Sequence, residues 1–318
     1  MKISVFSWNV LSDTFFLSDN YPSYDELIFD NDRKKRQVLK RIETQMEKKC
    51  LIALQEVCDF LMPDLVKLAV NGGYTIRDAY YGNETTGNMG VVLMWPTDLY
   101  KLDQYEQVVV GQYLIGEPPS PRVGWIDWVR GVEAPKCPYE YAKGRPNVLI
   151  AANLIGPDGP FTLAVYHMPC AYWDERIMKY HLDTIWSLCS NLNNPLSAVF
   201  EHLGDDTKTR AKYPPPLILC MDMNTKPTSS LYTNMKGYGM ISAHAFEGDE
   251  PEFTIWTNTK SSDAPFKGTI DYIWVSSDTI SEVKTEMAKC KDGLLPTASY
   301  PSDHLWTRAH LTFNNDKK

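Results

Sequence analysis

Leu217-Ile218-Leu219-Cys220-Met221-Asp222-Met223-Asn224 runs apolar for five residues and ends in a carboxylate and a carboxamide. Pro214, Pro215 and Pro216 precede it and Pro227 follows. A short apolar run between prolines and a turn cluster reads as a fully buried strand. Residues two apart on a strand share a face, so Asp222 and Asn224 are expected on one side. Both types are poor strand formers, and burying them needs a reason. One reason is a site; the other is a turn, which Asn224-Thr225-Lys226-Pro227 would also suit.

The pattern repeats along the chain. Lys2 to Val10 reads as a strand reaching Asn9, and Leu51 to Val57 as a buried strand ending near Glu56. Tyr74–Tyr81 and Gly90–Met94 read as paired strands around a polar loop from Gly82 to Met89, and Val108–Tyr113 as another strand. Val148–Leu154 and Phe161–Tyr166 form a hairpin around Gly156-Pro157-Asp158-Gly159, ending at His167. Glu252–Thr257 and Gly268–Val275 follow, the latter holding Asp271, and Leu305–Phe313 closes the chain after Asp303 and His304. Helical spacing marks Asp30–Lys49, Pro63–Val70, Asp174–Leu192 and Ser229–Met235. In the third of these, His181 falls among the apolar positions. Each polar residue alone has a plain structural reading: Asn9 as a turn former, His167 as a hydrogen-bonded histidine. Glu56 is harder to explain without a partner such as a cation.

The 318 residues, 43% of them hydrophobic, suffice for a sizeable core. One mixed α/β domain over 1–318 fits, with an irregular insertion near 116–145 and no internal repeat. A net charge of −8 argues against broad wrapping of nucleic acid. Seven scattered cysteines read as reduced thiols of a cytoplasmic or nuclear protein. Neither a secretion signal nor a membrane span is expected. The insertion interleaves Trp125 and Trp128 with Arg122 and Arg130. Such a mixture would either stack and neutralise a nucleotide chain or anchor a surface loop.

Together the strand ends carry acids, amides and histidines with no Ser or Cys nucleophile among them. Hard oxygen ligands suit Mg²⁺ or Mn²⁺. A carboxylate-bound cation, a further Asp and two histidines are the parts needed to hydrolyse a phosphoester.

Six segments in order resemble the endonuclease/exonuclease/phosphatase superfamily: SWNVLSD (7–13), LIALQEV (51–57), YHMPC (166–170), LCMDMN (219–224), GTIDYIWVS (268–276) and YPSDHL (300–305). EPEFT (250–254) and Trp173-Asp174-Glu175 resemble its deadenylase/nocturnin-like branch. The resemblance implies a four-layered α/β sandwich of two facing sheets flanked by helices. It implies that Glu56 binds Mg²⁺ with Asn9 and Asp303, and that Asp222 activates or orients water beside Asn224. His304, oriented by Asp271, would stabilise the transition state, and His167 would touch the scissile phosphate. Two departures stand out. Leu11 sits where abasic-site endonucleases carry an acid, and Met168-Pro169-Cys170 replaces the basic residues of nocturnin-like members. A leucine-rich-repeat docking region is not expected. The activities compatible with this are a Mg²⁺-dependent 3′-exoribonuclease on single-stranded RNA and a phosphatase or phosphodiesterase for a small phosphorylated molecule. That molecule would be a dinucleotide, an inositol phosphate or a phospholipid head group. A non-catalytic binding module is the third reading, disfavoured because every expected catalytic residue is present.

Overall fold

A computed structural model of the chain describes residues 1–83, 87–116, 137–193, 215–261, 263–290 and 293–314. Its strands are β1 (Lys2–Asn9), β2 (Leu51–Cys58), β3 (Tyr74–Asn83), β4 (Gly87–Pro96), β5 (Lys101–Val109), β6 (Val148–Gly156) and β7 (Gly159–His167). There follow β8 (Leu217–Asp222), β9 (Met240–Ser242), β10 (Ile255–Thr257), β11 (Phe266–Gly268), β12 (Asp271–Ser276), β13 (Ile280–Met287) and β14 (Thr307–Phe313). One six-stranded sheet has the order β13-β14-β1-β2-β4-β3, the other β5-β6-β7-β8-β12-β9, and β10-β11 is a separate ribbon.

Alternation along the strands builds the layers. Ile3, Val5, Leu51 and Ala53 of the first sheet share one buried cluster with Leu163, Val165, Ile218, Cys220, Ile273 and Val275 of the second. The intervening residues Phe6, Trp8, Ile52 and Leu54 face outward onto Val38, Ile42 and Leu65 of the helices Asn31–Glu47 and Met62–Asn71. On the far side Tyr166, Leu219, Met221 and Trp274 pack against Ile177, Ile185 and Leu231 of the helices Glu175–Asn193 and Ser230–Gly237. The result is the four-layered α/β sandwich the motifs implied. Among the described residues no helix is long and apolar enough to cross a membrane.

Several expected boundaries move. Val108–Tyr113 is not a strand: β5 ends at Val109 and Val110–Gln112 turns as a 3-10 helix. There the chain passes so close to the helix Pro138–Lys143 that a Cβ on Gly111 would lie 2.7 Å from the Lys143 carbonyl. Gly268–Val275 splits in two, because β11 pairs with β10 whereas β12 pairs with β8. The strand expected over Glu252–Thr257 keeps only Ile255–Thr257, and the closing strand starts at Thr307 rather than Leu305. The loop expected over Gly82–Met89 is shorter, since β3 and β4 run on to Asn83 and from Gly87. Arg122, Trp125, Trp128 and Arg130 lie outside the described residues.

His181 occupies the apolar face of its helix, fully buried. Its Nε2 lies 2.9 Å from the Ala142 carbonyl, which only accepts, so Nε2 donates. Nδ1 then accepts from the Tyr166 hydroxyl at 2.7 Å. Burial pushes this imidazole down from 6.5 to about 4. The folded pKa lies below the unfolded one, so as pH falls from 6.5 toward 4 the unfolded chain gains a proton that the folded chain refuses. Stability is therefore lost across that window, by about 3 kcal/mol for this group. Urea titrations at both ends of the window should show a smaller pH effect for His181→Gln than for the parent. Equal slopes would remove His181 from the account.

Candidate active site

The same alternation that builds the core delivers polar groups to one end of it. His167 continues the inward row Leu163–Val165, Asp222 the row Ile218–Cys220, and Asp271 begins the row Ile273–Val275. Pairing puts His167 opposite Asp222 on β7 and β8, and Asp222 opposite Asp271 on β8 and β12. Three titratable side chains thus form one row across three adjacent strands. Asn9 ends β1 on the facing sheet, on the side of Ile3 and Val5.

Glu56 reaches the site by a different device. Continued alternation from Ile52 and Leu54 would aim it outward at the helices. The β2–β4 register shifts between Leu54 and Val57, and Glu56 takes φ 58°. Val57 then resumes the outward row, which frees Glu56 to turn inward. Leu11 and Asn224 also have positive φ, 58° and 50°, so three of the four such non-glycine residues among those described border this site. Left-handed backbone at a non-glycine residue costs of order 1–3 kcal/mol and persists where its surroundings hold it.

Hydrogen bonds tie the groups together. The fully buried Asn9 donates through Nδ2 to Glu56 Oε1 and to Asp222 Oδ2, each at 2.9 Å. Its Oδ1 accepts from the Leu11 amide at 3.0 Å, and Glu56 Oε2 accepts from the Ser12 amide at 2.9 Å. Asn224 is not on the strand with Asp222: β8 ends at Asp222, and the left-handed turn carries the carboxamide to the Met168 carbonyl at 2.8 Å and to His167 Nε2 at 3.2 Å. Its amide N–H still serves Asp222 Oδ1 at 3.0 Å. His167 Nδ1 lies 2.5 Å from the Tyr81 hydroxyl. His304 Nδ1 lies 3.0 Å from both oxygens of Asp271, which accepts from Thr254 Oγ1 at 2.6 Å. His304 Nε2 lies 3.8 Å from Asp222 Oδ2 and 3.9 Å from Asp303 Oδ1. Every site residue expected from the strand ends is brought to this one place.

The electrostatics follow from burial. Burial pushes the Asp303 carboxyl up to about 6; His304 opposes the rise and the negative Glu56 adds to it. Burial would lower His304, but the attraction of Asp271 and Asp222 outweighs it and holds the imidazole well above its ordinary value. His304 thus sits between two carboxylates that favour its charged form. Among the described residues Asp303 Oδ1 is buried with no hydrogen-bond partner, although Oδ2 accepts from the Tyr21 hydroxyl at 3.2 Å. An orphaned carboxylate oxygen beside a second carboxylate is what a hard divalent cation would satisfy. Glu56, His167 and Asp222 offer ligand atoms within 4.8 Å of one another, as do Asp222, Asp271 and His304. The latter set is already joined by the His304–Asp271 bond, so the Glu56 side is the better cation site.

Tyr21, Tyr81, Thr254 and Ser302 are not among the expected site residues, yet each fixes a site group. Ser302 Oγ bonds the Asn9 carbonyl at 2.7 Å and accepts from the His304 amide at 3.1 Å. Thr254 and Ser302 stand inside EPEFT and YPSDHL, where a hydroxyl near an acid was the available signal. Tyr21 and Tyr81 carried none.

A model of the Endonuclease/Exonuclease/phosphatase family matches residues 6–304. Nocturnin of Rattus norvegicus is 30% identical over 112 residues, 32% of this chain and 26% of that protein, so the match spans about a quarter of the relative's length. The human Nocturnin catalytic domain with bound sulfate anion superposes with a TM-score of 0.60 at 22% identity, covering 98% of this chain and 94% of that one. ANGEL2, a 2′,3′-cyclic phosphatase, in complex with adenosine-2′,3′-vanadate gives 0.67 at 15% identity, covering 98% and 96%. These two likenesses show a shared fold.

Proposed function

This chain belongs to the Endonuclease/Exonuclease/phosphatase family, whose members are metal-dependent hydrolases of phosphate esters, and from that premise we propose that it is a Mg²⁺-dependent 3′–5′ exoribonuclease of deadenylase-like type. The observation that carries the chemistry is the convergence of Glu56, His167, Asp222, Asp271 and His304, with the unpaired buried Asp303 Oδ1 3.9 Å from His304 Nε2.

Each residue then has a task. Glu56 and Asp303 would hold the cation, with Asn9 keeping Glu56 and Asp222 apart and aimed. Mg²⁺ suits these oxygen ligands, Mn²⁺ would substitute, and the ion when bound neutralises phosphate charge. Asp222 takes the proton from the attacking water, while the Asn224 amide holds one of its oxygens. Asp271 occupies His304 Nδ1 and so leaves the Nε2 proton to meet negative charge growing on the phosphate. His167, fixed by Tyr81 and Asn224, would lie against the scissile phosphate.

Exposed aromatics support a nucleotide chain as substrate. Tyr172 and Trp173 are 77% and 57% exposed, five and six residues beyond His167, and the Arg145 guanidinium lies over the Trp173 ring at 5.6 Å. Two residues beyond Asn224, the Lys226 ammonium lies 4.7 Å over the half-exposed Phe266. Bases stack on such rings for about 1–3 kcal/mol each. Trp173→Ala should therefore weaken binding of a short single-stranded RNA by about that much in an anisotropy titration; unchanged binding would take Trp173 out of the substrate path. The adenosine compound bound to ANGEL2 and the sulfate bound to Nocturnin fit the same reading. The chain's unpaired cysteines suit a cytoplasmic location.

A second reading rests on the net charge of −8 and on Met168-Pro169-Cys170 following His167 without a cation. It makes the substrate a small phosphorylated molecule: a dinucleotide, an inositol phosphate or a phospholipid head group. A panel of 5′-labelled poly(A), mixed RNA, NADPH and inositol phosphates, with Mg²⁺ or chelator, decides. Stepwise Mg²⁺-dependent shortening of RNA from the 3′ end is expected. Rapid turnover of a small molecule with RNA untouched would put the second reading first.

A further inference from the structure

Lys34 is a charged residue in a place that helix stability does not explain. It lies in the first turn of the helix Asn31–Glu47, where a cation opposes the helix dipole. Its side chain is only 5% exposed, and burying an ammonium is costly unless every proton finds a partner. The partners all belong to one turn. The Nζ group donates to the Leu11 carbonyl and to Asp13 Oδ1, the latter at 2.5 Å, and lies 5.0 Å over the Phe16 ring. Asp13 is fixed from the other side by the Cys58 thiol, 3.0 Å from Oδ2, just past the bulge that carries Glu56.

What this turn does is set by its two amides. Leu11 N–H holds Asn9 Oδ1, which forces the Asn9 amide nitrogen toward Glu56 and Asp222. Ser12 N–H holds the second oxygen of Glu56. Both amides point correctly only while Leu11 stays at φ 58°, a conformation a leucine leaves readily when nothing holds it. The carbonyl that Lys34 grips is that of Leu11 itself.

We infer that Lys34, paired with Asp13, is a positioning residue that locks the Asn9–Ser12 turn and thereby presents the Glu56 carboxylate to a divalent cation. The inference rests on the proposed role of Glu56 as cation ligand. Outer partners of metal ligands of this kind govern affinity by about 10–100-fold.

Direct Mn²⁺ titration, followed by the paramagnetic signal of the free ion, reads this without catalysis. Lys34→Met should weaken Mn²⁺ binding by about 10–100-fold. The Mg²⁺ concentration for half-maximal activity should rise to match, with most of kcat recovered at high Mg²⁺. Asp13→Asn, on the partly exposed side of the pair, should do the same to a smaller extent and serves if Lys34→Met does not fold. A merely structural lysine would lower the thermal midpoint and leave cation affinity at the parent value, and that result in the folded variant overturns the inference. Glu56→Gln is the control. If it binds Mn²⁺ like the parent, the cation is held elsewhere; the proposed site then fails, and the brace with it. If Glu56→Gln loses the ion but Lys34→Met and Asp13→Asn keep it, the site stands and only the brace is wrong.

Discussion

Replacing Glu56 with Gln is expected to abolish phosphoester hydrolysis at ordinary Mg²⁺ while leaving the fold intact and, without metal, slightly more stable. The two halves of that result have one cause. Glu56, Asp222 and Asp303 crowd negative charge into a buried volume, and Glu56 adds to the upward push on Asp303. A like-charge cluster of this kind costs stability in the metal-free chain and is tolerated for what it binds. Gln keeps the shape, and its carbonyl oxygen still accepts from Asn9 or Ser12, so packing survives. What disappears is one unit of charge at a hard-ion site. The signature is thermodynamic as well as kinetic. A cation at a hundredfold excess over its Kd stabilises the folded chain by about 2.7 kcal/mol. Thermal melts with and without Mg²⁺ should show that increment in the parent and little of it in the variant. A variant that keeps near-parental rates at low Mg²⁺, or the full Mg²⁺ increment, would show that Glu56 does not hold the ion.

The reach of the sequence into this site has a physical boundary. Strand alternation is local, so the strands carrying His167, Asp222 and Asp271 are legible in the order of residues alone, whereas the four-layered sandwich is implied by the resemblance of the six motifs. Pairing register is not local: nothing in the chain says that Asp222 stands opposite both His167 and Asp271, which is what makes them one row. The bulge at Glu56 is a still sharper case. An alternating reading of Leu51 to Val57 sends Glu56 to the helix side, and only the shifted register with its left-handed residue returns it. Asn224 is legible as a site residue, but its position on the strand is not, because the turn alternative for Asn224-Thr225-Lys226-Pro227 is the one the chain adopts just past Asp222. Lys34 illustrates the remaining blind spot. In a helix written Asn31-Asp32-Arg33-Lys34-Lys35-Arg36, one cation among its charged neighbours carries no mark of burial. Its role comes from a tertiary contact with residues more than twenty positions earlier.

Asp222→Asn and His304→Ala should each lower kcat by several orders of magnitude and leave substrate binding nearly unchanged. Asp222 sits where a base must. It is buried, its Oδ1 is occupied by the Asn224 amide, and Oδ2 faces the Asn9 amide, His167 and His304. Asn in its place keeps an acceptor but takes no proton, and a lost general base costs about 10²–10⁴ in rate. His304 acts on a different charge. Its Nε2 proton meets negative charge that exists only as the transition state forms, so its removal costs about 10²–10³ in kcat and little in KM. The Asp271 contact makes the second loss testable from behind. Asp271→Asn removes the carboxylate that holds the imidazole in its orientation and protonated above its ordinary value. The kcat–pH profile of that variant should lose its activity on the alkaline side earlier than the parent, because a weaker-held proton leaves His304 at lower pH. Two residues serving one step do not add. The double variant Asp222→Asn/His304→Ala should fall little below the worse single variant, since either loss already forfeits the concerted proton and charge handling. Should either single variant chiefly raise KM, with kcat preserved, the group concerned binds substrate in its ground state and the role assigned to it here is wrong.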